Sequence, residues 1–97
     1  KYIEVEVKSE EEALKAAEEI FKLKSEKLFA IMFDNMKPTE IKNSIDKINK
    51  TDNLLFEASG GINQENIEEY SKTGVDIVSL GRLTHSVKSF DMSLQVT

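Results

Sequence analysis

At 97 residues the chain is sized for one small domain and not for two. Its formal net charge of -5 argues against nucleic acid or an anionic membrane as partner, because either would call for a basic face. It has no cysteine, which removes disulfides, a thiol nucleophile and Cys-based zinc sites and fits a cytoplasmic protein, and no apolar run has the length of a membrane span.

The first residue is Lys and a strand-like run follows at once, so we expect an internal or C-terminal piece of a longer polypeptide. Ile3, Val5 and Val7 alternate with Glu4 and Glu6, which predicts a strand over 3–7. Ser9 with Glu12 three residues later forms a capping box, and Glu10, Glu11 and Glu12 suit the first turn of a helix. Leu14, Ala17, Ile20 and Phe21 recur at helical spacing and are expected to be its buried face. Residues 28–33 form a continuous apolar run, the mark of a strand covered on both faces, and it stops at Asp34-Asn35. Pro38 suits the first turn of a second helix, with Ile41, Ile45 and Ile48 facing inward.

A third strand is predicted over 54–58, ending in Glu57-Ala58-Ser59-Gly60-Gly61-Ile62. Asn63 is expected to cap a third helix that stops at Gly74, with Ile62 and Ile67 as a hydrophobic staple. A fourth strand is predicted over 75–80, ending at Gly81, followed by a short helix over 83–88 and an alternating tail strand over 90–96. The sequon Asn49-Lys50-Thr51 is a chance match. Strand-helix alternation of this kind implies an α/β fold with parallel strands and right-handed crossovers. About four βα units make half of a TIM-like barrel, so a partial barrel with a C-terminal tail strand is expected. Half a barrel leaves two sheet edges open, a second reason to expect further chain beyond this piece.

Ligand sites in parallel α/β folds lie at the C-terminal ends of the strands. Those ends carry Glu6, Asp34, Ser59-Gly60-Gly61 and Gly81, with His85 just beyond. Paired glycines remove the side chains that keep a bulky anion off the backbone, and a helix N-terminus next to them would add its dipole. Glu57, just before that turn, could be a structural hydrogen-bonder buried in the barrel interior. Taken singly, each of these residues has an ordinary structural explanation, and a lone histidine such as His85 usually does. Their convergence on one mouth is what suggests a phosphorylated, metal-bound substrate.

The motifs Ile3-Glu4-Val5-Glu6-Val7, Ile31-Met32-Phe33-Asp34-Asn35-Met36, Glu57-Ala58-Ser59-Gly60-Gly61-Ile62, Thr73-Gly74-Val75-Asp76 and Gly81-Arg82-Leu83-Thr84-His85-Ser86-Val87 occur in this order. Together they resemble the C-terminal part of the quinolinate phosphoribosyltransferases, over essentially the whole chain. The Ser-Gly-Gly turn alone is shared by many phosphate-binding barrels. The series of five is far more specific.

The resemblance implies a pentosyltransferase with an incomplete α/β barrel behind an N-terminal domain. It implies transfer of phosphoribose from phosphoribosyl pyrophosphate to quinolinate with loss of CO2, on the route to NAD. It also implies Mg2+ as cofactor and a homo-oligomer. By the same resemblance, Glu6 and Asp34 match carboxylates near the ribose hydroxyls and the metal, which they could meet directly or through substrate or water. Ser59, Gly60, Gly61 and Gly81 match substrate-phosphate contacts, and His85 matches a histidine close to them. Residues 1–97 would then be the C-terminal half of the barrel, lacking the N-terminal domain, the first strands and the basic groups that meet quinolinate. Such a chain is expected to be inactive alone. Three alternatives stand beside this reading: another phosphate-binding barrel enzyme, a molybdenum-associated pyrophosphorylase-like protein, and a non-catalytic phosphate-binding half-barrel.

Overall fold

The computed structural model describes residues 2–80 and 83–86. Its elements in chain order are β1 (Ile3–Val7), α1 (Glu10–Leu23), β2 (Phe29–Asp34), α2 (Pro38–Lys47), β3 (Leu54–Ser59), α3 (Ile67–Ser71), β4 (Ile77–Leu80) and β5 (Leu83–Ser86). The strands form one sheet in the order β1-β2-β3-β4-β5. β1 to β4 are parallel, each joined to the next through a helix, and this is the α/β partial-barrel architecture.

The strand registers sort every side chain onto one of two faces. Val5, Ile31 and Phe56 stand in one row, and Val7, Phe33, Ala58 and Val78 in another on the same face. This face meets Ala13, Ile20, Ile41, Ile67 and Tyr70 from the helices in one core. Phe33, Phe56, Ile31 and Ile41 are fully buried there. Burying a side chain of this size contributes about 1.5–3 kcal/mol. The opposite face carries Glu4, Glu6, Met32, Asp34, Leu55, Glu57, Ser59, Ile77 and Ser79, so carboxylates line the side that no helix among the described residues covers.

Local signals set the first two helices. Ser9 Oγ accepts the Glu12 N–H at 3.1 Å, and the Glu12 carboxylate accepts the Lys8 N–H at 2.8 Å, one residue earlier than a standard box. Pro38 opens α2, where the Glu40 carboxylate accepts the Lys37 N–H at 3.0 Å.

Several expectations are corrected. Phe21 is 66 % exposed, because the buried stripe of α1 runs through Ala13 and Ile20 and leaves Phe21 about a quarter-turn round. Ile48 is the C-cap of α2 and not part of it. β4 begins at Ile77 because Asp76 ends the preceding turn, its carboxylate accepting the Phe56 N–H at 2.9 Å. α3 is only five residues long, capped by Asn66 and ending at Ser71. Asn63 instead closes a turn before it, its Oδ1 accepting the N–H groups of Glu65 (2.8 Å) and Asn66 (3.1 Å). Residues 83–86 are a strand and not a helix: β5 runs antiparallel to β4, with Leu80 opposite Leu83 and Val78 opposite His85. The open edge of β4 offers a ladder of backbone partners that an isolated helical turn lacks. Gly81 and the tail strand expected over 90–96 lie outside the described residues.

Candidate active site

The C-terminal ends of β1, β2 and β3 meet at one rim. Asp34 stands opposite Ser59 in the register, and Glu6 stands opposite Met32, which in turn faces Glu57. Glu6, Asp34 and Ser59 therefore share the carboxylate-bearing face. The turn after β3 closes onto the turn after β2, where the Asn35 N–H donates to the Ser59 carbonyl at 2.8 Å. Gly60 follows with φ +86°, Gly61 with φ +70° and Asn35 with φ +60°. A Cβ on Gly60 would lie 2.9 Å from the Asn35 nitrogen and 3.1 Å from Asp34 Oδ1. The bare backbone of Gly60 thus lies directly against the Asp34 carboxylate. Among the described residues, the amides of Gly60 and Gly61 have no protein acceptor.

A helix dipole does not reach this turn. α3 starts six positions beyond Gly61 and has five residues, and Asn63 Oδ1 takes the N–H groups of Glu65 and Asn66 in the turn between them. An anion at Gly60-Gly61 would be held by loop amides and not by a helix end.

Lys8, one residue past β1, spans the two acids. Its Nζ lies 2.7 Å from Asp34 Oδ2 and 3.4 Å from Glu6 Oε2. The Lys8 ammonium, together with the adjacent Glu6 carboxyl, holds the Asp34 carboxyl below its ordinary range. The hydrogen bond and the charge of Asp34, with Glu6 behind them, raise Lys8 in return. Both acids are open to solvent, with side chains 48 % (Glu6) and 23 % (Asp34) exposed.

Deeper on the same face, Glu57 is buried and hydrogen-bonded. It accepts from the Ser79 hydroxyl at 2.8 Å and the Tyr2 hydroxyl at 3.4 Å. Glu4 lies two residues before Glu6 on the same side of β1. Hydrogen bonding to Glu57, then burial, then the charges of Glu57 and Glu6 push its carboxyl up to about 7. Burial and the charge of Glu57 also raise the Tyr2 hydroxyl.

The structure therefore brings Glu6, Asp34, Ser59, Gly60 and Gly61 together. His85 is in β5, in the register row of Val7, Phe33, Ala58 and Val78, one row below Asp34 and Ser59. Sequence reasoning expected Glu57 as a buried hydrogen-bonder, as the structure has it, but missed Lys8 and the Glu4, Ser79 and Tyr2 that surround Glu57. The strand alternation that singled out Glu6 marks Glu4 equally, so that signal was present. Lys8 had none beyond its position just past a strand end.

A profile of the family described as quinolinate phosphoribosyl transferase, C-terminal domain, matches residues 1–95. The chain is 46 % identical to a probable nicotinate-nucleotide pyrophosphorylase (carboxylating) of Methanocaldococcus jannaschii, with 99 % of this chain and 33 % of that protein covered. It is 42 % identical to the probable enzyme of that name in Bacillus subtilis, covering 98 % of this chain and 30 % of the relative. It is 37 % identical to the nicotinate-nucleotide pyrophosphorylase (carboxylating) of Rattus norvegicus, covering 97 % and 29 %. The chain spans about one third of the length of the curated relatives it matches. Over nearly its full length, then, the chain belongs to the quinolinate phosphoribosyltransferase C-terminal domain family.

Proposed function

We propose that the protein carrying this chain transfers phosphoribose from phosphoribosyl pyrophosphate to quinolinate with decarboxylation, giving nicotinate mononucleotide, pyrophosphate and CO2 for NAD synthesis. The observation that carries the reading is the rim itself. An acid pair, Glu6 and Asp34, adjoins a side-chain-free turn at Gly60, with Asp34 Oδ1 only 3.1 Å from where a Cβ would stand. Family membership and the names of the relatives support it.

The chemistry suits those residues. Cleaving the ribose–pyrophosphate bond builds positive charge on the sugar ring. Fixed carboxylates at the rim stabilise that charge more in the transition state than in the ground state. In this proposal Glu6 and Asp34 do so while accepting hydrogen bonds from the ribose hydroxyls. Ser59, Gly60 and Gly61 hold the ribose phosphate as an anchor that positions the reacting carbon. Gly81 and His85 are proposed as further phosphate contacts.

Two carboxylates also fit Mg2+, which is typically bound by one or two carboxylates plus substrate phosphates. Among the described residues no cluster of three or more candidate metal ligands occurs. The Lys8 ammonium between Glu6 and Asp34 stands where such a cation would sit. Bound there, Mg2+ would draw charge from the departing pyrophosphate.

Basic groups for the two quinolinate carboxylates are assigned to segments outside this chain, so the chain alone would bind but not turn over. Homo-oligomeric assembly and a cytoplasmic location complete the proposal, with native mass and cell fractionation as their tests. Among the described residues no helix is long and apolar enough to cross a membrane.

Calorimetric titration of the chain with phosphoribosyl pyrophosphate, with and without Mg2+, tests the reading. Metal-dependent binding is expected, and Asp34→Asn should weaken it roughly ten- to a hundredfold, the range for a lost hydrogen bond to a charged group. Equal, metal-independent binding of any phosphate ester would reduce the site to a generic cradle. Nicotinate mononucleotide formed by the purified chain would refute its inactivity.

A further inference from the structure

Lys8 has no part in the chemistry just described. Yet its ammonium lies 2.7 Å from Asp34 Oδ2 and 3.4 Å from Glu6 Oε2, closing the gap between two acids that would otherwise repel. Among the described residues no other lysine or arginine forms an ion pair with either carboxylate. The Lys8 backbone is anchored, its N–H donating to the Glu12 carboxylate at 2.8 Å. The side chain is held only by the two carboxylates at its tip and is 66 % exposed, on a flexible four-carbon stem.

We propose that Lys8 is a built-in competitor of the divalent cation: its ammonium holds the Glu6–Asp34 pair before metal binds and yields it to metal as it moves to the diphosphate of the incoming substrate. This rests on the phosphoribosyl reading of the site. Mg2+ sits about 2.0–2.1 Å from its oxygen ligands. The Lys8 ammonium lies between Glu6 Oε2 and Asp34 Oδ2, so a metal shared by those two acids would meet a like charge at close range and drive the ammonium out. An ammonium leaving two carboxylates regains its charge pairing only at another anion. A diphosphate entering beside Gly60 is such an anion, and the exposed stem can swing toward it. Metal and substrate then assist one another, and by linkage each raises the affinity for the other by the same factor. Lys8 is a positioning residue in this scheme: it sets when the acids are available and does not touch the reacting bond.

Mn2+ binding followed by electron paramagnetic resonance on the 97-residue chain provides the test, with no turnover involved. Without phosphoribosyl pyrophosphate, Lys8→Met should bind Mn2+ roughly thirtyfold more tightly than wild type, the effect of one unit charge on a divalent cation about 4 Å away in water. Lys8→Arg keeps the charge and should behave as wild type. Adding phosphoribosyl pyrophosphate should tighten Mn2+ binding in wild type and do so less in Lys8→Met. Lys8→Gln serves as a second neutral variant should Lys8→Met lose its circular dichroism signature. Neutral folded variants that bind Mn2+ no better than wild type, or not at all, overturn the proposal. If the neutral variants bind more tightly but the substrate leaves wild-type Mn2+ affinity unchanged, the competition stands and the phosphoribosyl reading of the site fails.

Discussion

Replacing Gly60 with alanine would put a methyl group 2.9 Å from the Asn35 nitrogen, 3.2 Å from the Asn35 Cα and 3.1 Å from Asp34 Oδ1. Two of those atoms are backbone in the turn after β2 and cannot rotate away. Gly60 also has φ +86°, where an L side chain costs about 1–2 kcal/mol. Forcing packed atoms apart adds about 1–3 kcal/mol, so Gly60→Ala should lose about 2–5 kcal/mol in all. Gly61 is the internal control. Its φ is +70°, but the nearest atom to its added Cβ is Asn35 Oδ1 at 3.5 Å, an ordinary contact. Gly61→Ala should therefore lose only the backbone part, about 1–2 kcal/mol. A domain of this size has about 5–15 kcal/mol in total, so both variants should remain folded enough to measure. Urea unfolding with linear extrapolation gives the two values. Equal losses would refute the close approach of the two turns, and a wild-type midpoint for both would refute the left-handed backbone. Phosphoribosyl pyrophosphate binding should follow the same order, because only the Gly60 methyl displaces Asp34.

Tyr70→Phe removes a buried hydroxyl that donates to the Met36 carbonyl at 2.9 Å, and should lower the urea-derived stability by about 1–2 kcal/mol. Asp76→Ala strips the Phe56 N–H of its 2.9 Å acceptor and Lys50 of its ion pair. It should cost about 1–3 kcal/mol and speed hydrogen exchange at the Phe56 amide. The Glu4 carboxyl, raised from 4.5 to about 7, binds its proton more tightly in the folded state. Its contribution is fully present below pH 4.5 and is lost as pH rises through 7. The urea midpoint should therefore fall across that interval, and Glu4→Gln should flatten the fall. Identical pH profiles for the two proteins would exclude the carboxyl pair.

Periodicity made the sheet legible. Ile3, Val5 and Val7 alternate with acids, the unbroken apolar run ending at Phe33 marks a covered strand, and Leu54-Leu55-Phe56 opens another. Pro38 placed the start of α2 for a reason local to proline, its fixed φ and missing N–H. Errors arose where local signals competed. Asn63 has the right side chain for a cap, but Asn66 stands three residues on, and its Oδ1 accepts the Asn63 N–H, so a turn forms first and the helix starts later. Leu83-Thr84-His85-Ser86 has no strong helical preference, and the open β4 edge decides its conformation. In the site, Asp34 and Gly60 were legible because the rule for strand ends names them. Lys8 was not, because a lysine's reach across the mouth depends on its rotamer and on the spacing of strands distant in sequence.

The two faces of the sheet depend on one another. A one-residue slip of β3 against β2 would turn Phe56 onto the carboxylate face and Glu57 into the core. The slip would strip Phe56 of its packing on Phe33, 6.0 Å away between ring centroids, and strip Glu57 of Ser79 and Tyr2. An unpaired carboxylate in an apolar core is far more costly than any single contact it could replace there. Asp76 adds a second lock by holding the Phe56 backbone N–H from the neighbouring turn. The register that sets Ser59 opposite Asp34, and so lays Gly60 against its carboxylate, is thus held from the apolar side of the sheet. Core substitutions at Phe33 or Phe56 should accordingly disturb phosphoribosyl pyrophosphate binding even though neither residue reaches the rim.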